Sequence, residues 1–222
     1  MSNMEDESEL VERALRGDQS AFASAFESYR PRLSRMIELR MDPRVQGRLD
    51  PSDVLQESFI QAARELPEYT NRRHVPFYLW LRLIAGQKLA RAHKTHLGAA
   101  KRQAQREVSL DAPAVPDLST INLASHLLAN LTSASGAIVR EEARAMVHQV
   151  LNEMDAQDRE VLALRHFEDL TNREVASMLD ISEAAAKSRY RRALVRITQA
   201  LRQIPDLREE YPSQPEKRSN DE

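Results

Sequence analysis

The sequence contains no cysteine and only five glycines, and no apolar run is long enough to cross a membrane. The absence of cysteine excludes disulfides, thiolate catalysis and cysteine zinc sites, and it fits a reducing compartment. Good helix formers such as Ala, Leu, Arg, Glu and Gln dominate, while β-branched runs are few. We therefore expect an all-α protein. The N-terminus is acidic, unlike a signal peptide, so a cytoplasmic location is expected.

Charge is distributed unevenly along the 222 residues, although the net charge is only -2. The first ten residues contribute −4 and residues 205–222 contribute −3, which leaves +5 for residues 11–204. A basic folded part between acidic ends points to a polyanionic partner.

Two helical blocks are predicted, at residues 9–96 and 141–203, with a linker at 97–140 and an acidic polar tail at 204–222. In the first block, apolar residues recur every three or four positions from Phe22 to Ile37, which indicates an amphipathic helix. Pro31 lies within this stretch, so either the helix tolerates the proline or it breaks there. A second helix begins after Asp50 and is expected to stop at Pro67.

A third helix is predicted to begin after Pro76 and to continue into a basic stretch, Lys88, Arg91 and Lys94. The linker that follows contains two prolines and is rich in Ser, Thr and Asn from residue 119 to 135. Its helical periodicity is poor around residues 122–131, so we predict a largely flexible tether.

The second block contains the spacing of a helix-turn-helix. Thr171 and Glu174 form a capping-box pattern, Asp180 and Ile181 make a turn, and Ser182 can cap the last helix. No acidic residue lies between the basic residues that follow, which are Lys187, Arg189, Arg191, Arg192, Arg196 and Arg202. A helix that concentrates positive charge after a tight turn is typical of DNA binding. The plainer interpretation is a solvated basic face on a bundle helix.

The motifs also resemble a known family. The stretch from Leu162 to Thr171, the Glu174–Ala176 sequence and Lys187-Ser188-Arg189 resemble domain 4 of bacterial sigma factors, especially the extracytoplasmic function (ECF) group. The first block resembles sigma domain 2. Residues 49–59 are similar to the helix that docks on the clamp helices of RNA polymerase, and residues 77–85 to the helix that opens and reads the −10 element.

The resemblance implies three sets of site residues. The −35 element would be contacted by Glu183, Lys187, Ser188, Arg189, Arg191 and Arg192. The −10 element would be opened and held by Tyr69, Phe77 and Tyr78, which can stack on an unpaired base, and by Lys88, Arg91 and Lys94, which can bind phosphates. The polymerase clamp would be contacted by Asp53, Gln56 and Glu57. For Asp53 the alternative is helix capping, and Trp80 is expected in the core.

Three departures from the family pattern affect recognition. Asp180 stands where the family commonly has Gly in the helix-turn-helix corner, and residues 184–186 are all Ala where Gly-Thr-Val is usual. After Ile84 and Ala85, Gly86 and Gln87 replace the family's Arg-Asn pair, and Arg91 replaces its later Asp. An unusual −10 preference is therefore expected.

The resemblance implies an ECF-type sigma factor that binds core RNA polymerase and promoter DNA, with an anti-sigma factor as a conceivable further partner and no cofactor. The main alternative is a helix-turn-helix regulator of the response-regulator output type, which shares the pattern of residues 170–176; a helical adaptor is a third class. An enzyme is not expected, because there is no glycine-rich phosphate loop and the six histidines form no ligand pattern. His93 and His96 are expected to face DNA or solvent.

Overall fold

The computed structural model describes residues 2–69, 75–101, 115–129 and 136–207, and within these ranges every regular element is helical. The α-helices are α1 (Ser2–Leu15), α2 (Gln19–Arg40), α3 (Pro51–Tyr69), α4 (Phe77–Lys101), α5 (Thr120–Leu127), α6 (Ala137–Glu153), α7 (Ala156–His166), α8 (Asn172–Leu179) and α9 (Glu183–Leu201). A short 3₁₀ helix follows at Pro205–Leu207. The all-α prediction is confirmed.

The chain divides into two compact units. Unit 1 comprises Met1–Asn122 together with His166–Leu170, and unit 2 comprises Leu123–Arg165 together with Thr171–Glu222. The five residues from the last residue of α7 to Leu170 are therefore grouped with the N-terminal part of the chain. Sequence patterns gave no indication that these residues belong to a different unit from the helices on either side of them. The predicted division of the chain into blocks at 9–96 and 141–203 stays a prediction.

Unit 1 is built from α1 to α4, and both internal prolines lie within continuous helices. Asp18 caps α2 by accepting a hydrogen bond from the Ala21 amide at 3.0 Å. α2 continues through Pro31, which is exposed, so the helix tolerates the loss of one hydrogen bond. The prediction that Pro67 ends α3 is wrong by two residues, because the helix extends to Tyr69, whose ring is buried and whose hydroxyl donates to the Val75 carbonyl at 2.8 Å.

Aromatic rings form much of the core of unit 1. Phe59 of α3 lies 5.2 Å from Phe22 and 5.1 Å from Phe26 of α2, measured between ring centroids. Trp80 lies 4.8 Å from Tyr69 and is only 3% exposed, so the prediction of a core tryptophan is confirmed. These contacts fix the three long helices against one another and so determine which faces of α3 and α4 remain at the surface.

The predicted tether is anchored to unit 1 where it is described. The Ser119 amide donates to the Leu39 carbonyl at 2.9 Å. The buried Asn122 side chain donates to the Glu38 and Met41 carbonyls at 2.7 and 2.8 Å. These carbonyls at the end of α2 lack helical partners, and Asn122 satisfies them. The expectation of a flexible tether over 97–140 is therefore corrected at residues 119–122, which sequence periodicity did not reveal.

Unit 2 contains the helix-turn-helix that the sequence predicts. Thr171 and Glu174 form a complete capping box on α8. Asp180 ends α8 in the left-handed conformation, with φ 53° and ψ 49°, and Ser182 caps α9 by accepting from the Ala185 amide at 3.1 Å. Three residues separate the two helices. Nowhere in the described part of the chain is a helix both long and apolar enough to span a membrane.

Candidate nucleic-acid and polymerase interfaces

The N-terminal half of α9 presents a basic face to solvent. Ala186 and Ala193 are fully buried and fix the rotation of the helix. Lys187 and Arg191, one helical turn apart, are consequently exposed, as is Glu183 one turn earlier, while Ser188 is half-buried beside them. The free amides at the helix start are partly satisfied by Ser182, and the side chains along this face can approach a DNA groove.

Arg189 points to a different neighbour. Its Nη1 lies 2.5 Å from Oδ1 of Asp158 in the first turn of α7 and 3.6 Å from Oδ1 of Asp155. The Asp158 side chain is only 10% exposed. Arg192, which is half exposed, has its Nη2 3.6 Å from the same Asp158 oxygen. The structure therefore does not group Arg189 with Lys187 and Arg191, and the sequence signal for this pair was only the acidic start of α7.

Basic residues of α4 form a second candidate surface. Arg91 and Lys94 are exposed. Lys88 is more covered, with its Nζ 4.0 Å from Oε2 of Glu57 on α3. The exposed side chains of Arg91 and Lys94 are thus accessible for phosphate contacts, whereas the Lys88 side chain pairs with Glu57 and so links α4 to α3.

His93 does not face DNA or solvent as expected. Its Nε2 accepts a hydrogen bond from the Asp42 amide at 3.2 Å, and the ring is half-buried. Burial lowers the pKa of His93, with the nearby Asp42 carboxylate opposing that effect. The neutral imidazole that accepts this bond holds the chain after α2 to α4, so the correction gives His93 a structural role. His96 is half-buried.

The three aromatic residues predicted to stack on an unpaired base lie in the core of unit 1. Tyr69, Phe77 and Tyr78 are 5%, 7% and 3% exposed. Phe77 lies 5.2 Å from Tyr69 and 6.0 Å from Tyr29, between ring centroids. None of the three offers a free ring face in this conformation, so any stacking by them would require the core to open.

The residues predicted to contact polymerase share the exposed side of α3. Asp53, Gln56 and Glu57 are all exposed, whereas Val54 and Leu55 between them and Ser58 after them are buried. Ile60 continues this face and is 43% exposed, which is unusual for a large apolar side chain. Ile60 was not among the predicted contacts, although its spacing of three and four residues from Glu57 and Gln56 places it on the same helix face.

A buried ionic cluster in unit 1 was also missed. The Glu168 side chain is fully buried, and its carboxylate accepts from Arg40 Nη1 at 3.1 Å, from Arg82 Nε at 2.7 Å and from the Tyr78 hydroxyl at 2.8 Å. Burial alone would raise the pKa of Glu168, but the charges of Arg82 and Arg40 outweigh it and hold the pKa below its ordinary value. Burial and the Glu168 charge raise the pKa of Tyr78. Because the partners Arg82, Tyr78 and Arg40 are 86, 90 and 128 residues away in sequence, no local pattern could indicate the cluster.

Among the described residues, no three His, Cys, Asp or Glu side chains converge as a group that could hold a metal ion.

Comparisons with known proteins identify the family of the chain. Residues 144–197 match the family model described as Sigma-70, region 4. The chain is 32% identical over 209 residues to the RNA polymerase sigma-H factor of Pseudomonas aeruginosa, an alignment that spans 94% of this chain and all of that relative. It is 29% identical to the ECF RNA polymerase sigma-E factors of Salmonella typhimurium and Escherichia coli, over 87% of this chain and 93% of each relative.

Among solved structures, the fold is similar to that in "Structure of CnrH in complex with the cytosolic domain of CnrY". The TM-score is 0.50 at 20% sequence identity, over 88% of this chain and 97% of that one. This likeness concerns the fold alone.

Proposed function

The chain belongs to the ECF group of bacterial RNA polymerase sigma factors, and we propose that its two units divide promoter recognition between them. As a sigma factor it directs RNA polymerase to promoters. In the proposed division, unit 2 reads the −35 element and unit 1 binds core polymerase and holds the opened −10 element. A helix-turn-helix regulator of the response-regulator output type would share only the helix-turn-helix with this chain. The Pseudomonas sigma factor instead aligns with both units.

One observation supports −35 recognition above the others: Lys187 and Arg191 stand exposed on the first half of α9, directly after a capped three-residue turn. This half of the second helix enters the major groove in helix-turn-helix proteins. Arg191 can donate two hydrogen bonds to a base edge, or it can pair with a phosphate. Ser188 and Glu183 border the same face, while Arg192 lies at its edge. Arg189 acts indirectly by holding α9 against α7.

For unit 1 we propose that the exposed face of α3 binds the polymerase clamp. Asp53, Gln56 and Glu57 supply acidic and polar groups beside the exposed Ile60. An apolar side chain surrounded by polar ones is the usual arrangement at a protein interface, where the apolar residue contributes most of the affinity.

For the −10 region we propose that Arg91 and Lys94 of α4, with Lys88, hold phosphates of the opening duplex. Tyr69, Phe77 and Tyr78 would reach a base only if the core of unit 1 rearranged on binding. The opening is driven by binding energy, and the protein hydrolyses no nucleotide.

We place this activity in the cytoplasm, where polymerase and chromosome are found. An anti-sigma protein is a further proposed partner, suggested by the fold neighbour's complex with the cytosolic domain of CnrY.

The test of this division compares Arg191→Ala with Arg196→Ala, an exposed arginine farther along α9. Loss of a base or phosphate contact costs about 1–3 kcal/mol, so Arg191→Ala should weaken binding of the polymerase complex to promoter DNA by about tenfold or more. Arg196→Ala should have little effect. Binding of each variant to core polymerase, measured by fluorescence anisotropy, should equal that of the unaltered protein. Equal losses of DNA and polymerase binding in Arg191→Ala would contradict the role assigned to this residue.

A further inference from the structure

Two acidic side chains at the start of α7 lie beside the basic helix α9 within unit 2. The Oδ1 atom of Asp158 lies 2.5 Å from Arg189 Nη1 and 3.6 Å from Arg192 Nη2. Asp155 accepts the Gln157 amide at 2.8 Å through its own Oδ1, and this atom lies 3.6 Å from Arg189 Nη1. Asp158 therefore faces two arginines of α9, which it holds with different strength.

Arg192 is the loosely held arginine. Its side chain is 55% exposed, against 26% for Arg189. Its Nη1 lies 3.4 Å from the Ser188 hydroxyl oxygen and its Nη2 3.6 Å from Asp158, and both distances are long for a charge-assisted hydrogen bond. An ion pair at an exposed position shifts an equilibrium by no more than about fivefold. Another anion can therefore displace Asp158 from Arg192, while Arg189 continues to neutralise Asp158.

The guanidinium of Arg192 lies at the edge of the face that α9 presents to DNA, one helical turn after Ser188. Two kinds of DNA group can compete with Asp158 for it. A single backbone phosphate offers a contact of about the same strength as the exposed ion pair. A base edge that accepts two hydrogen bonds from an arginine favours the matching base by about tenfold or more. Asp158 therefore opposes the phosphate contact more effectively than the base contact.

We propose that Asp158 is a specificity-determining residue of the helix-turn-helix: it keeps Arg192 from the phosphates of unrelated DNA and yields it to the base edge of a matching −35 element. This inference rests on the function proposed above. Asp158 itself contacts no DNA and acts through Arg192. Its charge lowers the affinity for every duplex but raises the ratio of promoter binding to non-promoter binding.

The effect of removing the Asp158 charge is opposite in sign to the loss of a purely structural residue. Loss of a residue that only holds α9 in place lowers DNA affinity. Loss of the Asp158 charge instead makes Arg192 available to one more phosphate and raises the affinity for non-promoter DNA. The slope of log affinity against log salt becomes steeper by about one at the same time.

The first test measures binding of the free, full-length protein to a fluorescent duplex of random sequence, by anisotropy at several salt concentrations. Asp158→Asn keeps an oxygen that can accept from Arg189 and removes the charge. It should bind this duplex about fivefold more tightly, with the steeper salt slope. Asp155→Asn is the matched control, because it removes the same charge three residues earlier and an asparagine preserves the helix cap. The control should change the affinity by less than about twofold, since Asp155 is exposed and screened by salt.

Arg192→Ala completes a double-mutant cycle with Asp158→Asn. In the unaltered protein Asp158 holds Arg192, so Arg192→Ala alone should change binding to the random duplex little. In the Asp158→Asn background the same substitution should remove the whole gain. Weaker binding by folded Asp158→Asn, a gain that persists without Arg192, or an equal gain in Asp155→Asn would overturn the inference.

The second test uses the complex with core polymerase and leaves Asp158 unchanged, so it does not depend on the folding of an Asp158 variant. Arg192→Ala should weaken binding of the complex to a promoter, selected by transcription from a DNA library, by about tenfold or more. Binding of the same complex to the random duplex should change little. Equal losses on both DNAs would contradict the proposed role of Asp158.

These outcomes separate the inference from the proposed function. If the unaltered complex selects promoters but the cycle shows no coupling between Asp158 and Arg192, the inference fails and the function stands. If the unaltered complex prefers no promoter, the proposed function fails, and the selectivity assigned to Asp158 fails with it.

Discussion

Mutation of Arg189 can distinguish a residue that contacts DNA from a residue that positions the DNA-binding helix α9. Sequence analysis places it among the −35 contacts, but its guanidinium lies 2.5 Å from Asp158 of α7. Replacing Arg189 by Ala removes the only cation within 3 Å of that carboxylate in the described structure, and replacing Asp158 by Asn removes the charge from the opposite side.

The expected loss of stability follows from burial. The Asp158 side chain is 10% exposed and that of Arg189 is 26% exposed. Exposed ion pairs contribute roughly 0.2–1 kcal/mol and breaking a buried pair costs roughly 3–5 kcal/mol, so this half-buried pair should contribute about 2 kcal/mol to unit 2. For a domain of this size that corresponds to a melting temperature lower by about 10 °C.

Two measurements distinguish the roles: thermal unfolding of the full chain, and DNA affinity of the polymerase complex as a function of salt. Arg189→Ala should lower the unfolding temperature and leave the slope of log affinity against log salt unchanged, because no phosphate contact is lost. If Arg191 binds a phosphate, Arg191→Ala should reduce the steepness of that slope by about one and leave unfolding unchanged. A reduced salt slope in Arg189→Ala, with unaltered stability, would refute the positioning role.

Three further predictions follow from the same structure. Asp180→Gly should raise the melting temperature of unit 2, because residue 180 has φ 53° and a glycine there relieves about 1 kcal/mol of strain, whereas Asp180→Ala should lower it. Ile60→Asp should weaken core polymerase binding by about tenfold, measured by anisotropy, while Arg64→Ala beside it has little effect. The pKa of Glu168 is lower in the folded protein than its ordinary value of 4.5. The contribution of the Glu168 carboxylate to stability is therefore complete above pH 4.5 and is lost as the pH falls through the lower folded-state pKa. Hydrogen exchange in residues 166–170, corrected for intrinsic rates, should accelerate only in that acidic range.

Local signals predicted most of unit 2. The capping box at Thr171 and the cap at Ser182 use residues within one helical turn, so the sequence specifies them directly. Asp180 was expected in the turn, and it adopts the left-handed conformation there, which its short polar side chain tolerates. Burial of Ala186 then fixed which side of α9 carries Lys187.

Contacts between residues far apart in sequence could not be predicted in the same way. His93 is basic and lies among cations, which suggested DNA, yet its ring accepts the Asp42 amide 51 residues away. Asn122 lies in a polar stretch typical of a linker, but it satisfies two carbonyls at the end of α2. Glu168 follows a helix end, where a surface position is the ordinary expectation, and only the folded arrangement of Arg40 and Arg82 explains its burial. In each case a polar side chain satisfies a group that sequence spacing does not bring near it.

The central claim is that this chain gives core RNA polymerase its promoter specificity. The most direct measurement is reconstituted transcription with purified protein, bacterial core RNA polymerase and a library of promoter-length DNA. The account predicts transcripts with defined start sites that appear only when the protein is present and that share sequence elements near −35 and −10. DNA binding by the isolated protein, without core binding or new transcripts, would contradict the account and favour a conventional helix-turn-helix regulator.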